Sequence, residues 1–193
     1  MTVVALVTGA GGGVGAAVAH RLDALGARVA ALDGDSTSVE LTGGALCRGM
    51  AVHADAADPV QVDNAVAAVV EHYGRLDLLV VTAEPGCPSV LADPASVTDD
   101  EWHIALAAQL DSAFYGVRAG LRAMRGRGGH IVAVHTACPH LPQRAAASGG
   151  VAAMVRLANR AGDGVRVDAV PTGCPPDPAA VADAVAVLMK ESR

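Results

Sequence analysis

The stretch "VVALVTGAGGGVG" (Val3–Gly15) is where the fold can be read. Val3–Val7 is an unbroken apolar run, the pattern of a strand buried on both faces in a parallel sheet. Glycines follow at 9, 11, 12, 13 and 15. They let the backbone turn tightly, and a helical pattern takes over to about Leu25, with Gly26 as its stop. Such a turn brings backbone N–H groups to the positive end of a helix, where a pyrophosphate is stabilised. A tight turn with no ligand would need the same glycines, so the rest of the chain must separate the two readings.

Downstream, apolar runs and helical patterns alternate. "RVAALD" (Arg28–Asp33), "MAVHAD" (Met50–Asp55), "LDLLVVTA" (Leu76–Ala83), "HIVAVH" (His130–His135) and "VRVDAV" (Val165–Val170) read as strands two to six. Helices fall between them. One is opened by Asp58 and Pro59 at cap and first-turn positions. A long one starts near Val97, with Thr98, Asp99, Asp100 and Glu101 at its positive end, and runs to about Met124. A further helix covers Ala145–Ala161 and a last one follows the Pro-rich loop Pro171–Pro178; the second helix is short, being interrupted at Gly43–Gly44. The alternation predicts an α/β fold: one doubly wound parallel sheet with helices on both faces, in a single domain spanning residues 1–193. Asp33 ends strand two, where a carboxylate accepts hydrogen bonds from an adenosine ribose and repels a 2′-phosphate. That favours NAD (NADH) over NADP. Asp55, ending strand three, is placed to receive the adenine amino group.

Composition narrows the partners. The formal net charge is −6, and the Arg122–Arg127 segment is the one local gathering of basic residues. Nucleic acid and anionic membranes are therefore not expected as partners. One Phe, one Trp and two Tyr leave few platforms for stacking bases. There is no run of 18 apolar residues to span a membrane. The N-terminus has no basic region and runs straight into the glycine turn, so no signal peptide is expected. Cys47, Cys87, Cys138 and Cys174 are widely spread with no CxxC pair, which points to reduced thiols in a cytoplasmic chain.

Thr8, Gly9, Gly13 and Gly15 form a TGxxxGxG pattern. With "HADAAD", "GRLDLLVVTA", "DDEWHIALAAQL" including Trp102, "GGHIVAV" and "GVRVDAVPTG", the chain resembles the classical short-chain dehydrogenase/reductase family from residue 3 to about 173. The resemblance implies a Rossmann-type sheet of about six strands in the order 3-2-1-4-5-6. It implies cofactor contacts from Gly9, Gly11, Gly13, Val14, Gly15, Asp33, Asp55 and Ala83. It also implies four catalytic positions, which the family fills with serine, asparagine, tyrosine and lysine. Here they fall on Thr136, Gln109, Arg144 and Ser148.

Two of those positions keep usable chemistry: Thr136 retains a hydroxyl and Gln109 an amide. The other two do not. Arg144 stays protonated at any working pH and cannot act as an acid, and Ser148 has no charge to lower a neighbour's pKa. The strand-four turn reads Val81–Glu84, with a glutamate where the family has glycine. In "HTACPH" (His135–His140), His135 could supply acid–base chemistry near neutral pH, or be a strand-end residue without a role. No metal site is expected, because no fourth ligand joins His135, Cys138 and His140. After "PTG" (Pro171–Gly173) the chain offers only "CPPDP" and one helix, so no seventh strand is expected beside strand six, nor much of a substrate lid.

Three functions are compatible with these residues. The chain could be a non-catalytic structural or regulatory subunit that binds NAD and assembles, with itself or an active homologue, through its alanine-rich fourth and fifth helices. It could be a divergent NAD(H)-dependent oxidoreductase, or a dehydratase, cyclase or isomerase on the same fold. It could be a nucleotide-sensing homodimer. Loss of NAD binding along with the catalytic pair also stays open.

Overall fold

In the computed structural model, residues 2–82, 91–136, 138, 140–161 and 163–191 are described. The first apolar run forms β1 (Val4–Thr8), fully buried along its length. The glycine turn leads into α1 (Gly13–Ala24), whose Val14, Val18 and Leu22 recur every four residues and face inward. Next come β2 (Arg28–Asp33), α2 (Ser36–Ala45), β3 (Met50–His53), α3 (Pro59–Tyr73) and β4 (Leu78–Val81). The expected long helix is α4 (Asp99–Leu106), a π-helical turn (Ala107–Asp111) and α5 (Ser112–Met124) in unbroken succession. The remaining elements are β5 (Gly129–Thr136), α6 (Pro142–Ala161), β6 (Val165–Thr172) and α7 (Pro178–Glu191).

The helix starts follow from their caps. The Asp58 carboxylate accepts from Val60 N–H and Gln61 N–H at the start of α3. Thr98 and Glu101 form a reciprocal capping box at the start of α4. α3 ends at Gly74, whose φ of +80° is the left-handed conformation that suits glycine.

All five pairings in the sheet are parallel, in the order β3-β2-β1-β4-β5-β6. The order reverses between β1 and β4, and a crevice opens beyond their C-terminal ends. One core lies between the sheet and α3, α5 and α6; the other lies between the sheet and α1 and α7. α7 inserts Val181, Val185 and Met189 beside Val18 and Leu22 of α1, and Asp183 pairs with Arg21 at 2.8 Å. It therefore packs on a face of the sheet and leaves β6 as the outer strand.

The glycine-bearing face of the long helix packs on the sheet. A Cβ on Gly116 would meet Val81 at 2.7 Å, and one on Gly120 would meet Leu79 at 2.8 Å, so this face is closed against the sheet. Large apolar side chains on the other side of the helices are exposed instead: Trp102, Ile104, Phe114 and Leu157. One expectation is corrected. Cys47 is a free thiol, but Cys174 is disulfide-bonded, so the thiols are not all reduced. The Cys174 sulfur also lies 3.4 Å from that of Cys138, because the loops after β5 and β6 meet in the fold.

Candidate functional site

The glycine turn is built at the limit of steric tolerance. Gly9 and Gly13 have φ of +64° and +53°. A Cβ on Gly15 would collide with the Gly9 carbonyl, so α1 can approach β1 this closely only with glycine there. Gly12 caps α1 with no side-chain hydrogen bond, and a Cβ there would meet nothing within 4 Å. The first N–H groups of the helix are thus left for an anion rather than a capping side chain. Val14 is fully buried and can offer a ligand only its backbone.

Asp33 is anchored to this turn. Its Oδ2 accepts from Gly11 N–H at 2.9 Å and its Oδ1 from Asp35 N–H at 3.0 Å. Asp55 accepts from Ala57 N–H at 2.8 Å. Both carboxylates line one cavity of about 230 Å³, with Gly9, Thr82, Ala108 and Ser112. Its floor is set by a reciprocal pair between strands. Thr8 Oγ1 accepts from Thr82 N–H (3.1 Å), and Thr82 Oγ1–H donates to Thr8 O (2.7 Å), fixing the ends of β1 and β4 together. Thr82, Ala108 and Ser112 were not singled out from the sequence. The i, i+4 spacing of Ala108 and Ser112 could have placed them on one helix face, but only the fold turns that face toward Asp33. Ala83 and Glu84 lie outside the described residues.

The four catalytic-position residues are brought to the C-terminal ends of β4 and β5 and the helices beside them. Gln109 lies in the π-helical turn, 4% exposed, and its Oε1 has no hydrogen-bond partner among the described residues. Thr136 ends β5, and its hydroxyl accepts from the Thr172 hydroxyl at 3.2 Å. Arg144 and Ser148 are one turn apart on α6, half-buried and buried respectively. Ser148 meets His135: Oγ and Nδ1 are 2.7 Å apart. Burial holds the His135 pKa below the ordinary histidine value. Gln143, one residue before Arg144, is also buried with an unpartnered Oε1. Nothing in the sequence pattern marked it. Among the described residues, no group of His, Cys, Asp and Glu is arranged to hold a metal ion.

This constellation has counterparts in known proteins. The short chain dehydrogenase family model matches residues 3–176. The chain belongs to the short-chain dehydrogenase/reductase family. It is 36% identical over 182 residues to (5R,7aS)-5-hydroxy-7a-methyl-1-oxo-2,3,5,6,7,7a-hexahydro-1H-indene-carboxyl-CoA reductase of Mycobacterium tuberculosis, covering 87% of this chain and 68% of the relative. A short chain dehydrogenase from Mycobacterium smegmatis superimposes with a TM-score of 0.89 at 32% identity, over 97% of this chain and 85% of the other. A 3-ketoacyl-(acyl-carrier-protein) reductase from Brucella melitensis, solved with NADH, shares the fold with a TM-score of 0.86 at 23% identity, over 97% of this chain and 90% of the other. No helix among the described residues is long and apolar enough to cross a membrane.

Proposed function

We propose that this family member binds NAD(H) but does not run the family's tyrosine–lysine chemistry, and serves as a structural or regulatory subunit beside an active relative. Binding is supported by the glycine turn, the uncapped start of α1 and the Asp33–Asp55 cavity. Gly9, Gly11, Gly13, Gly15 and the backbone of Val14 would hold the pyrophosphate. Asp33 would hold the adenosine ribose and Asp55 the adenine edge. The nicotinamide, when bound, supplies a hydride donor or acceptor. On this chain the proton-handling positions beside it are Arg144 and Ser148.

The observation that carries the reading is the Ser148–His135 hydrogen bond of 2.7 Å. The side chain in the lysine position is turned into the protein, and its four-residue neighbour is an arginine with no titratable proton near neutral pH. Trp102, Ile104, Phe114 and Leu157 provide apolar area for a partner.

The same hydrogen bond favours a second reading. A histidine oriented by a serine at the family's lysine position would replace the tyrosine as acid in a divergent oxidoreductase or a non-redox enzyme. A homodimeric nucleotide sensor is the third reading; it shares the NAD site and differs only in partner.

Calorimetry with NAD and NADP tests the shared part. NAD should bind more tightly than NADP, and Asp33→Ala should weaken NAD about tenfold or more, the value of a lost charge-assisted hydrogen bond. Turnover of NADH by the isolated chain across a carbonyl panel would sink the non-catalytic reading. Co-purification with an active homologue supports it, and a lone dimer that binds NAD points to the sensor. The double change Arg144→Tyr with Ser148→Lys should confer measurable turnover where the cofactor geometry is intact.

A further inference from the structure

A second cavity, of about 370 Å³, lies between α6 and β6, separate from the Asp33–Asp55 cavity. Val155, Val167 and Ala169 supply apolar walls; His135, Arg156 and Asn159 supply polar groups.

A strand is the first occupant to consider, because β6 is the outer strand of the sheet. The edge offers a strand only a reduced set of donors. Asn159 Oδ1 accepts from Val167 N–H at 3.0 Å, so this amide points off the sheet and is already engaged. The two-residue alternation of a parallel strand directs the peptide nitrogen of residue 171 the same way, and that residue is proline, which has no N–H to give. Two of the donors that an added strand would need are therefore missing.

The polar side chains that remain are donors. Asn159 Oδ1 is occupied, which leaves its Nδ2 hydrogens. Arg156 is exposed and has no hydrogen-bond or ion-pair partner among the described residues. The lining carboxylate, Asp168, is held by His130 at 2.9 Å and by Arg166 at 2.6 Å. A cationic and an amide donor above an apolar wall match an anion with an aliphatic body.

We propose that this groove binds a small aliphatic monocarboxylate, with its carboxylate on Arg156 and Asn159 Nδ2 and its chain along Val155, Val167 and Ala169 toward His135. The site goes beyond the dinucleotide reading and does not depend on it.

The test uses the full chain with saturating NAD, so that the cofactor cavity is filled, and sodium hexanoate as the probe in a calorimetric titration. Hexanoate should bind, and the His135 ring resonance should shift during an NMR titration. Hexanamide, the neutral analogue, should bind at least tenfold more weakly. Arg156→Gln, at an exposed helix position, should lower hexanoate affinity about tenfold, as expected for loss of a charged hydrogen-bonding partner. Absence of hexanoate binding, equal binding of hexanamide, or unchanged affinity in Arg156→Gln would each overturn the proposal. So would an increase in mass with concentration that Asn159→Ala enhances and hexanoate does not prevent, because a second copy would then be the occupant. NAD binding is measured in the same samples, so its failure is read separately.

Discussion

Ser148 on α6 and His135 on β5 are joined by a hydrogen bond of 2.7 Å. His135 is half-buried, and burial favours its neutral form, so its pKa in the folded protein lies below the ordinary value of 6.5. A lowered histidine pKa contributes stability that is complete above the unfolded value and is lost as pH falls toward the folded value. His130 is shifted in the same direction, again chiefly by burial, with Asp168 opposing. The protein should therefore lose stability as pH falls below about 6.5. Urea denaturation across this range should show the loss, and His135→Gln should make it shallower. A pH-independent midpoint would contradict the assignment. Ser148→Ala leaves His135 Nδ1 buried without its partner and should cost about 1–2 kcal/mol, read as a shift in the urea midpoint at neutral pH. Arg144 and Ser148 were legible in the sequence as departures from the tyrosine and lysine that the family resemblance implies. What Ser148 touches instead was not, since its partner lies on β5, 13 residues away.

Among the elements, α4 shows local sequence acting alone. Thr98 accepts from Glu101 N–H at 3.2 Å, and the Glu101 carboxylate accepts from Thr98 N–H at 2.9 Å. These bonds hold the Glu101 pKa below the usual carboxylate range. Thr98→Ala removes half of the box and should destabilise the protein by about 1 kcal/mol, with amide exchange rising in residues 99–102. Uniform exchange along α4 and α5 would show that the cap does not govern this helix start. The π-helical turn that follows has no such local cause: nothing in "AAQLD" (Ala107–Asp111) departs from good helix composition. Its widened turn carries Gln109, buried with an unpartnered oxygen. Here the tertiary environment and not residue preference chose the geometry.

At the scale of the whole molecule, several of its exposed apolar side chains gather on three neighbouring helices. Trp102 and Ile104 on α4, Phe114 on α5 and Leu157 on α6 are exposed, at 37%, 69%, 45% and 68%. Isolated exposed apolar residues are ordinary, and several on neighbouring helices give the proposed subunit role a surface to act through. On that proposal, Phe114→Ser with Leu157→Ser should lower the mass seen by size-exclusion chromatography with light scattering, while NAD affinity stays unchanged. An unaltered mass would place the interface elsewhere.

The sequence by itself determined the layered α/β architecture, the strand order through its family pattern, and the glycine turn with Asp33. Those features rest on local properties: period, caps, and backbone freedom at Gly9, Gly13 and Gly15. The tertiary structure alone decided three things. It joined Thr82, Ala108 and Ser112 to the carboxylate cavity. It turned the alanine- and glycine-rich helix face onto the sheet. It brought His135 to Ser148 and Asn159 to the β6 edge. Each is a contact between distant segments, and one chain read alone shows which residues can pair, not which ones packing brings within reach.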